Sequence, residues 1–425
     1  VSVIGEVAAT QDYPNFRPTL DLNFAAVKKL DPRITYTRSG PASFTDEFGK
    51  LIKVAANAPR FDHNFGTGES LGLLIEESST NISRYSEKAS GTTNWNQFGS
   101  ITENIIEAPD GTMTADKLEA PASGHGLINI ALSWTANVPH TFSIFAKSGE
   151  FNRIGIRLYD GTSYFMRTTV NLDTGEAVNN EAGTLNVEKF ANGWWRISTT
   201  GTPVATYNYN SLGSVEPHKN ATVQSPDPSN SREGIYIWGW QMEAKAFPTS
   251  YIPTNGVAVT RGGDNVDIDG ENFTDFYNQT ESTIISSHTL LPNVPNAENV
   301  YVYQIQDAST NNVIRVIDKN SSYSNVATGL VLNGGSSQFH FNNTTDSYTK
   351  DKVLVALSVK QDDFAGCHNG GDLSLDNSGT LPTNFNSLGI GRYPPSGGYE
   401  LNGHIQRFIY YPKQLPDSQL KTLTL

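Results

Sequence analysis

The sequence is poor in cysteine, in long apolar runs and in positive charge. Its 425 residues include one cysteine, Cys367, which excludes a disulfide framework within the chain. No apolar stretch approaches the ~20 residues that a membrane-spanning helix needs. The start at Val1 lacks the basic flank and apolar core of a signal peptide. We therefore expect neither a secretory leader nor insertion into a membrane.

Positive charge is scarce in absolute and in relative terms. Lys and Arg number 30 against 43 Asp and Glu, which gives a formal net charge of −13 and a pI near 5.1. A partner rich in phosphate needs a basic surplus on the protein, so this balance argues against binding to nucleic acid or to an anionic membrane surface. A glycan, which need carry no charge, is compatible with it.

Turn-forming residues and short strand-like runs are abundant. The chain has 37 Gly and 21 Pro but only 17% charged residues, a composition typical of short strands joined by many turns. Apolar alternation over 140–147 and 235–243 is interrupted by turn dipeptides such as Asp160-Gly161. This spacing predicts an all-β fold of sandwich type, with less than about a tenth of the residues in helices.

The length predicts two or three domains. We expect an extended N-terminal segment for attachment or oligomerisation over 1–80, a jelly roll over 81–262 and a second sandwich over 263–425. The first segment has too few consecutive apolar positions for a core of its own, so we expect it to pack on a neighbour or in a homo-oligomer, with a trimer favoured. A faint echo links residues 37–40 (TRSG) with 260–263 (TRGG), too short to define a repeat.

Three phrases of the sequence resemble those of bacteriophage virion proteins of the tail-fibre, tail-spike or head-fibre type. They are GIYIWGWQME at 234–243, PTSYIPT at 248–254 and the closing strand LNGHIQRFIYYP at 401–412, which a short helix starting near Pro416 follows. In such proteins a jelly roll similar to a carbohydrate-binding module precedes a concanavalin A/laminin G-like sandwich. The resemblance covers roughly residues 17–425.

The resemblance implies a structural and adhesion protein of the virion, assembled in the host cytoplasm, that binds host-surface glycans and other virion proteins. It implies no catalytic residue. Two alternatives stay open. One is a polysaccharide depolymerase, a glycoside hydrolase or lyase, on the same β-sandwich scaffold. The other is a capsid or tail decoration protein that binds no ligand.

The acidic run at 264–271, with spacing D-x-x-D-x-D-x-E, resembles the active-site strand of chitinases, where the last carboxyl, here Glu271, is the general acid. That chemistry needs a (β/α)8 barrel, and the sequence does not alternate strands with long helices. The favoured interpretation is a domain-entry strand with acids facing solvent. Part of the run also matches an EF-hand loop, but Phe276 stands where a bidentate Glu is required. A structural calcium ion bound by scattered oxygens stays open, with no ligands identified.

Aromatic residues give the best indication of a glycan site, because sugar rings stack on Trp and Tyr beside planar hydrogen-bonding side chains. All six tryptophans lie within 81–262. Strand alternation places one of two adjacent residues in the core and the other outside, and core is the common fate of a strand tryptophan. The predicted stacking residues are Trp95, Tyr207, Tyr209 and one of Trp194 and Trp195, with Gln97, Asn208 and Asn210 as hydrogen-bonding partners.

Overall fold

A computed structural model describes residues 13–89, 95–97, 100–119, 128–218, 233–294, 299–318, 327–342, 352–394 and 399–425; of 95–97, 128–131, 208–213, 218 and 342 it describes the backbone alone. Strands make up 51% of the chain and helices 6%, which confirms the all-β prediction and its low helical content. No helix among these residues is long and apolar enough to cross a membrane.

The first half of the chain contributes sixteen described strands and one short helix. They are β1 (Leu20–Asn23), α1 (Phe24–Val27), β2 (Thr35–Thr37), β3 (Ala42–Thr45), β4 (Leu51–Val54), β5 (Phe61–His63), β6 (Ser70–Ile75), β7 (Ser79–Asn81), β8 (Trp95–Gln97), β9 (Ser100–Ile106), β10 (Ala115–Glu119), β11 (Ile128–Trp134), β12 (His140–Lys147), β13 (Arg153–Tyr159), β14 (Tyr164–Asn171), β15 (Ala177–Ala182) and β16 (Thr184–Lys189).

The second half begins with a 3₁₀ turn at Ala191–Gly193. Its described elements are β17 (Trp195–Gly201), β18 (Tyr207–His218), β19 (Gly234–Glu243), β20 (Val259–Arg261), β21 (Asn265–Asp269), α2 (Gly270–Thr274), β22 (Glu281–Leu290), β23 (Val300–Gln306), β24 (Val313–Asp318), β25 (Thr328–Asn333), β26 (Ser336–Asn342), β27 (Val353–Lys360), β28 (Asp363–His368), β29 (Ser374–Asp376), β30 (Ser387–Ile390), β31 (Gly403–Tyr411) and α3 (Asp417–Leu423).

The chain divides into two compact units. Unit 1 comprises Val1–Tyr36, Asn265–Leu290 and Asn296–Leu425, and unit 2 comprises Thr37–Asp264 and Leu291–Pro295. The described part of the predicted N-terminal segment is therefore shared, with 13–36 in unit 1 and 37–80 in unit 2. The three-part division of the chain stays a prediction.

Unit 2 contains two antiparallel sheets of six strands. One has the order β16-β17-β12-β19-β10-β9 and the other β15-β14-β13-β18-β11-β8. A core cluster takes side chains from both sheets, among them Phe142, Ile156, Ile197 and Trp240, each of them fully buried. Burial of such a side chain contributes about 1.5–3 kcal/mol, so the apolar positions of the alternating strands hold the sandwich together.

Unit 1 is also built from two antiparallel sheets. One contains β29-β28-β27-β22-β31, with β1 also paired to β31, and the other contains β21-β30-β23-β24-β25-β26. Asn402 has the left-handed φ of 50° that a turn before the closing strand needs, and α3 begins at Asp417 directly after Pro416. The closing strand and short helix expected from the sequence are confirmed.

The end of the first phrase and most of the second, residues 241–252, form a buried hydrogen-bond network in unit 2. Gln241 accepts the backbone N–H of Ile252 at 2.7 Å, and Glu243 accepts the N–H of Thr249 at 3.2 Å and the hydroxyl of Ser79 at 2.6 Å. Gln241 and Glu243 are fully buried, and a buried polar group without a partner costs about 1–3 kcal/mol. These residue types are therefore needed to fasten the loop after β19, which is a structural role.

A fully buried ion cluster lies in the same unit. Arg60 places guanidinium nitrogens 2.5 Å from a carboxylate oxygen of Glu76 and 2.5 Å from one of Asp264. Arg38 lies 3.6 Å from Asp264, and Arg261 lies 3.5 Å from Glu76. Burial opposes ionisation of Glu76, but attraction to Arg261 and Arg60 outweighs it and holds the pKa of this carboxyl well below its usual range. Removing one partner of such a group costs about 3–5 kcal/mol.

The two ends of the sequence echo meet at this cluster. The N–H of Gly262 donates to the carbonyl of Ser39 at 2.8 Å, so 37–40 and 260–263 lie side by side. A Cβ on Gly40 would come within 2.3 Å of the Thr260 carbonyl oxygen, which explains the glycine there. The echo is a paired structural element that delivers Arg38 and Arg261 to the same carboxylates.

Candidate functional site

The acidic run at 264–271 does not form an active site of the chitinase type. Asp264 is fully buried in the ion cluster, so the expectation that it faces solvent is wrong: three arginines compensate the cost of burying it. Asp267 in β21 pairs with Arg392 at 2.5 Å, and Glu271 is exposed in the first turn of α2. The strand belongs to a sheet of unit 1 and not to a (β/α)8 barrel, so Glu271 lacks the context for acid catalysis.

The tryptophan pair before and in β17 divides as strand alternation predicts, with one difference. Trp194 is the core member, 1% exposed, and its indole N–H donates to the carbonyl of Glu107 at 3.2 Å. Trp195, expected to be exposed, is half-buried. Its indole N–H donates to the carbonyl of Leu172 at 2.7 Å, and its ring covers Gly175, where a Cβ would come within 2.2 Å of the ring.

The other predicted glycan contacts lie on the second sheet of unit 2. Tyr207 is half-buried, with its ring 5.8 Å from that of Trp134. In the register of β8, β11 and β18, Trp95 pairs with Ile130, Gln97 with Ile128 and Asn210 with Leu132; the side chains of Trp95, Gln97, Asn208, Tyr209 and Asn210 lie outside the described residues. The backbone positions of these residues belong to both sheets of the unit. Their role in glycan binding stays a prediction.

The outer face of the second sheet carries a different set of polar side chains. In β13, Ile154, Ile156 and Leu158 enter the core, so alternation turns the intervening residues outward. The neighbouring strands β14 and β18 contribute to the same face in register. We call this surface the arginine face; its residues are Arg153, Arg157, Tyr159, Tyr164, Arg167 and Glu216, with Glu181 at its border.

Two like charges lie directly opposite one another at the centre of the arginine face. Arg157 of β13 and Arg167 of β14 are cross-strand partners, an arrangement that is destabilising by itself. Burial lowers the pKa of Arg157 below its ordinary value, and the charge of Arg167 adds to this effect. Each arginine has a carboxylate on its far side: Arg157 pairs with Glu216, and Arg167 lies 2.6 Å from Glu181.

Aromatic rings lie beside the two arginines. The rings of Tyr159 and Tyr164 are 5.2 Å apart and inclined by 55°, and the guanidinium of Arg167 lies 5.0 Å from the centroid of Tyr164. Tyr164 is 40% exposed, while the side chains of Arg157 and Arg167 are 19% and 13% exposed. The face therefore presents recessed cations next to an accessible ring, which suits a ligand that combines an acidic group with an apolar ring face.

The sequence does contain a signal for this face. The run RIGIRLY at 153–159 alternates apolar residues with Arg, Gly, Arg and Tyr. Period-two alternation assigns that second set, which contains two arginines and a tyrosine, to one surface of the strand. Neither the tryptophans nor the pair Tyr207 and Tyr209 indicates this surface.

Among the residues that the structure describes, no group of three or more His, Cys, Asp or Glu side chains is placed to hold a metal ion. The sequence left a calcium site open without naming ligands. It stays an untested prediction.

No protein-family model and no curated protein matches the chain. Solved structures with similarity include the CBM40 module of the Ruminococcus gnavus IT-sialidase bound to α2,3-sialyllactose, at 13% identity and a TM-score of 0.32 over 38% of this chain and 91% of that one. A leech intramolecular trans-sialidase complexed with 2,7-anhydro-Neu5Ac is 14% identical, with a TM-score of 0.31, over 37% and 27%. A heptameric pentraxin of Limulus polyphemus is 14% identical, with a TM-score of 0.26, over 34% and 70%. At these identities function has to be argued from the residues of this chain.

Proposed function

We propose that this chain is a glycan-binding adhesion protein whose arginine face holds the acidic group of a host-surface glycan. The observation that carries the proposal is the side-by-side placement of Arg157 and Arg167 in adjacent strands. The sheet accepts a repulsion there that a neutral residue would remove. An anion lying between the two guanidinium groups turns this repulsion into attraction.

The chemistry of the face fits a sugar that carries a carboxylate or sulfate. A guanidinium offers a planar fork of donors to such a group, and a hydrogen bond to a charged partner contributes about 1.5–3 kcal/mol. Glu216, 1% exposed, and Glu181 hold the two arginines from opposite sides and so limit the motion of the forks. The ring of Tyr164 is accessible for stacking against the C–H face of the sugar.

The virion part of the proposal is supported by the sequence phrases alone. Those phrases map onto the hydrogen-bonded loop after β19 and onto β31, which are structural elements of the two units. The resemblance implies a tail- or head-fibre role and assembly in the host cytoplasm. The trimeric homo-oligomer is expected from the scarcity of apolar positions in the first segment. Immunogold labelling of virions with an antibody against this chain, and the sedimentation mass of the purified protein against its 46.3 kDa monomer, test these points.

The glycan proposal is tested by calorimetric titration with sialyllactose, an oligogalacturonate and a sulfated disaccharide, with lactose as the uncharged reference. Arg167→Ala leaves the exposed Glu181 behind and should weaken binding of the acidic ligand by roughly 10- to 150-fold. Arg157→Lys keeps the charge beside the buried Glu216, loses the fork and should weaken binding less. Arg17→Ala, at an exposed position in unit 1, is the matched control.

Equal affinity of the acidic ligand for the wild type, Arg167→Ala and Arg157→Lys proteins would refute the arginine face as the site. Binding of none of the glycans would favour the decoration-protein alternative. A reducing-end assay on the same glycans distinguishes binding from the hydrolase or lyase alternative, because only an enzyme raises the number of chain ends.

A further inference from the structure

Unit 2 also contains a cleft of about 340 Å³, which lies within the volume range of small-molecule sites. It involves β9 and β10 of the first sheet, whereas the arginine face belongs to the second sheet. We call it the acidic cleft. It is lined by Tyr85, Glu87, Lys88, Glu103, Asn104, Thr114, Asp116, Thr254 and Asn255.

Asp116 fixes two walls of the acidic cleft. Its side chain, on a residue only 2% exposed, accepts the backbone N–H of Ala89 at 3.1 Å and that of Asn104 at 3.0 Å. The register of β9 and β10 shifts here, since Lys117 pairs with Thr102 but Ala115 pairs with Ile106. Three residues of β9 therefore lie opposite Asp116, and the middle one, Asn104, has a left-handed φ of 54°. The bulge is thus what brings Asn104 into the lining.

The opposite wall is held by contacts of its own. Tyr85 forms an isolated antiparallel bridge with Asn255. The carboxylate of Glu87 accepts a hydrogen bond from the ammonium of Lys53 at 2.5 Å and one from the hydroxyl of Tyr251 at 2.9 Å. The cleft is therefore bordered by segments that the fold fixes independently of a ligand, and such preorganisation lowers the entropic cost of binding.

The charges of the lining select against anions. Glu103 and Asp116 contribute carboxylates, and Lys88 contributes the single cation of this lining; a third carboxylate, that of Glu87, is paired with Lys53. The rest of the set is an aromatic ring, two asparagines and two threonines, which are donors and acceptors for hydroxyl groups. Carboxylate oxygens accept hydroxyl hydrogen bonds but repel an acidic sugar.

We infer that the acidic cleft is a second binding site, for a small polyhydroxylated ligand without negative charge, such as a neutral mono- or disaccharide. Tyr85 would supply a ring face, Asn104 and Asn255 the planar amides, and the carboxylates the acceptors for hydroxyl groups. This inference does not depend on the arginine face, because the two sites lie on different sheets, and the arginine face takes an anionic ligand whereas the cleft takes an uncharged one.

The test is titration of the full chain with cellobiose, maltose, N,N′-diacetylchitobiose and, as the anionic probe, digalacturonate. Asn104→Gly retains the left-handed backbone and removes only the amide, so it should weaken the neutral ligand by roughly tenfold without lowering Tm. Asn137→Gly is the matched control, since Asn137 also has a left-handed φ, of 60°, and is not part of the cleft lining.

Two outcomes overturn the inference: no measurable binding of any of the three neutral disaccharides, or neutral binding that Asn104→Gly leaves unchanged. A third variant tests the charge argument. Glu103→Gln, made in the Arg167→Ala background so that the arginine face does not bind the probe, should keep the affinity for the neutral ligand within about threefold and raise the affinity for digalacturonate, because it removes one repelling carboxylate. A lower affinity for digalacturonate would contradict the charge argument. Loss of digalacturonate binding in Arg167→Ala alone reports on the arginine face and not on the cleft.

Discussion

The arginine face and the acidic cleft lie in the same unit and are built from the same kind of antiparallel strand, yet they present opposite charges. The centre of the arginine face is made by alternation in β13, with Arg157 and Arg167 in register across two strands. The acidic cleft exists because alternation fails, at the bulge of β9 opposite Asp116. Register thus places two arginines side by side on an outer strand face, whereas a bulge places Asn104 in the lining of the cleft.

The comparison also shows how little the net charge of −13 says about a partner. A net negative charge is compatible with a local group of cations when neighbouring carboxylates, here Glu216 and Glu181, pair with them. Fields at protein surfaces depend on the nearest charges, because salt screens the rest within about 8–10 Å.

Reversing the charge of the arginine face should change its affinity for glycans more than any other substitution or condition considered below. In an Arg167→Glu variant Arg157 keeps its pair with the buried Glu216, but the new carboxylate and Glu181 make the arginine face acidic. We expect binding of acidic glycans to fall by more than ~100-fold, since attraction is replaced by repulsion. Binding of neutral disaccharides by the acidic cleft should stay within about twofold. Titration of the variant with sialyllactose and with maltose measures both. A parallel loss of the two affinities would show that the variant is misfolded or that one site serves both ligands.

Salt should have a smaller effect on affinity, and the effect should differ between the two sites. Raising NaCl from ~0.05 to ~0.5 M shortens the screening length about threefold and should weaken acidic glycan binding roughly five- to tenfold. The affinity of the acidic cleft for the neutral ligand should change by less than about twofold, because no ion pair forms there. Calorimetry across a salt series gives both slopes. Equal slopes would contradict the assignment of the ligand charges.

The smallest effect concerns two carboxyl groups of unit 2. Burial raises the pKa of Asp116 above 3.8, and the nearby charge of Glu103 adds to this. Burial also opposes ionisation of Asp110, but its hydrogen bonds from Lys53 and Thr112 outweigh burial and lower its pKa below 3.8. We expect the carboxyl ¹³C shifts of the two residues to titrate on opposite sides of that value. Titration of both carboxyl groups below that value would show that the environment of Asp116 does not disfavour its charge.

The sign for stability follows from these directions. A carboxyl whose pKa is raised in the folded state stabilises the fold most below its unfolded pKa, and this contribution is lost as pH rises through the folded value. Asp116 should therefore stabilise the fold less at neutral pH than at acid pH. Asp110, with its lowered pKa, should contribute above its unfolded pKa and lose that contribution as pH falls. Chemical denaturation of Asp116→Asn and Asp110→Asn across pH gives the two trends.

Sequence patterns were sufficient where one local requirement fixes the outcome. The turn at Asn402 and the start of α3 at Asp417 were predictable because each depends on a few neighbouring residues. The alternation expected for β31 is not observed, because both faces of this strand are buried and only Arg407 is exposed. The division of Trp194 and Trp195 into inside and outside follows from strand alternation. How far Trp195 is covered does not, because that depends on Gly175, twenty positions away in the chain and in contact only after folding.

The candidate sites were less accessible to prediction. The alternation in RIGIRLY indicates that Arg157 lies outside a strand, but its placement opposite Arg167 depends on the register of β13 with β14. The acidic cleft combines residues near 85, 104, 116 and 255, which four separate chain segments bring together. Neither a motif nor a periodicity connects such distant positions.

Local patterns of residues are enough to predict that this protein is all-β, how its closing segment ends and which strand positions are apolar, because these properties depend on neighbours within a few residues. Long-range contacts bring residues 37–40 and 260–263 together around Glu76 and Asp264, place two arginines opposite one another and form the bulge beside Asp116. Pairing register and long-range packing are set by the burial of the whole core, and a one-residue slip would turn every side chain of a strand to the other face.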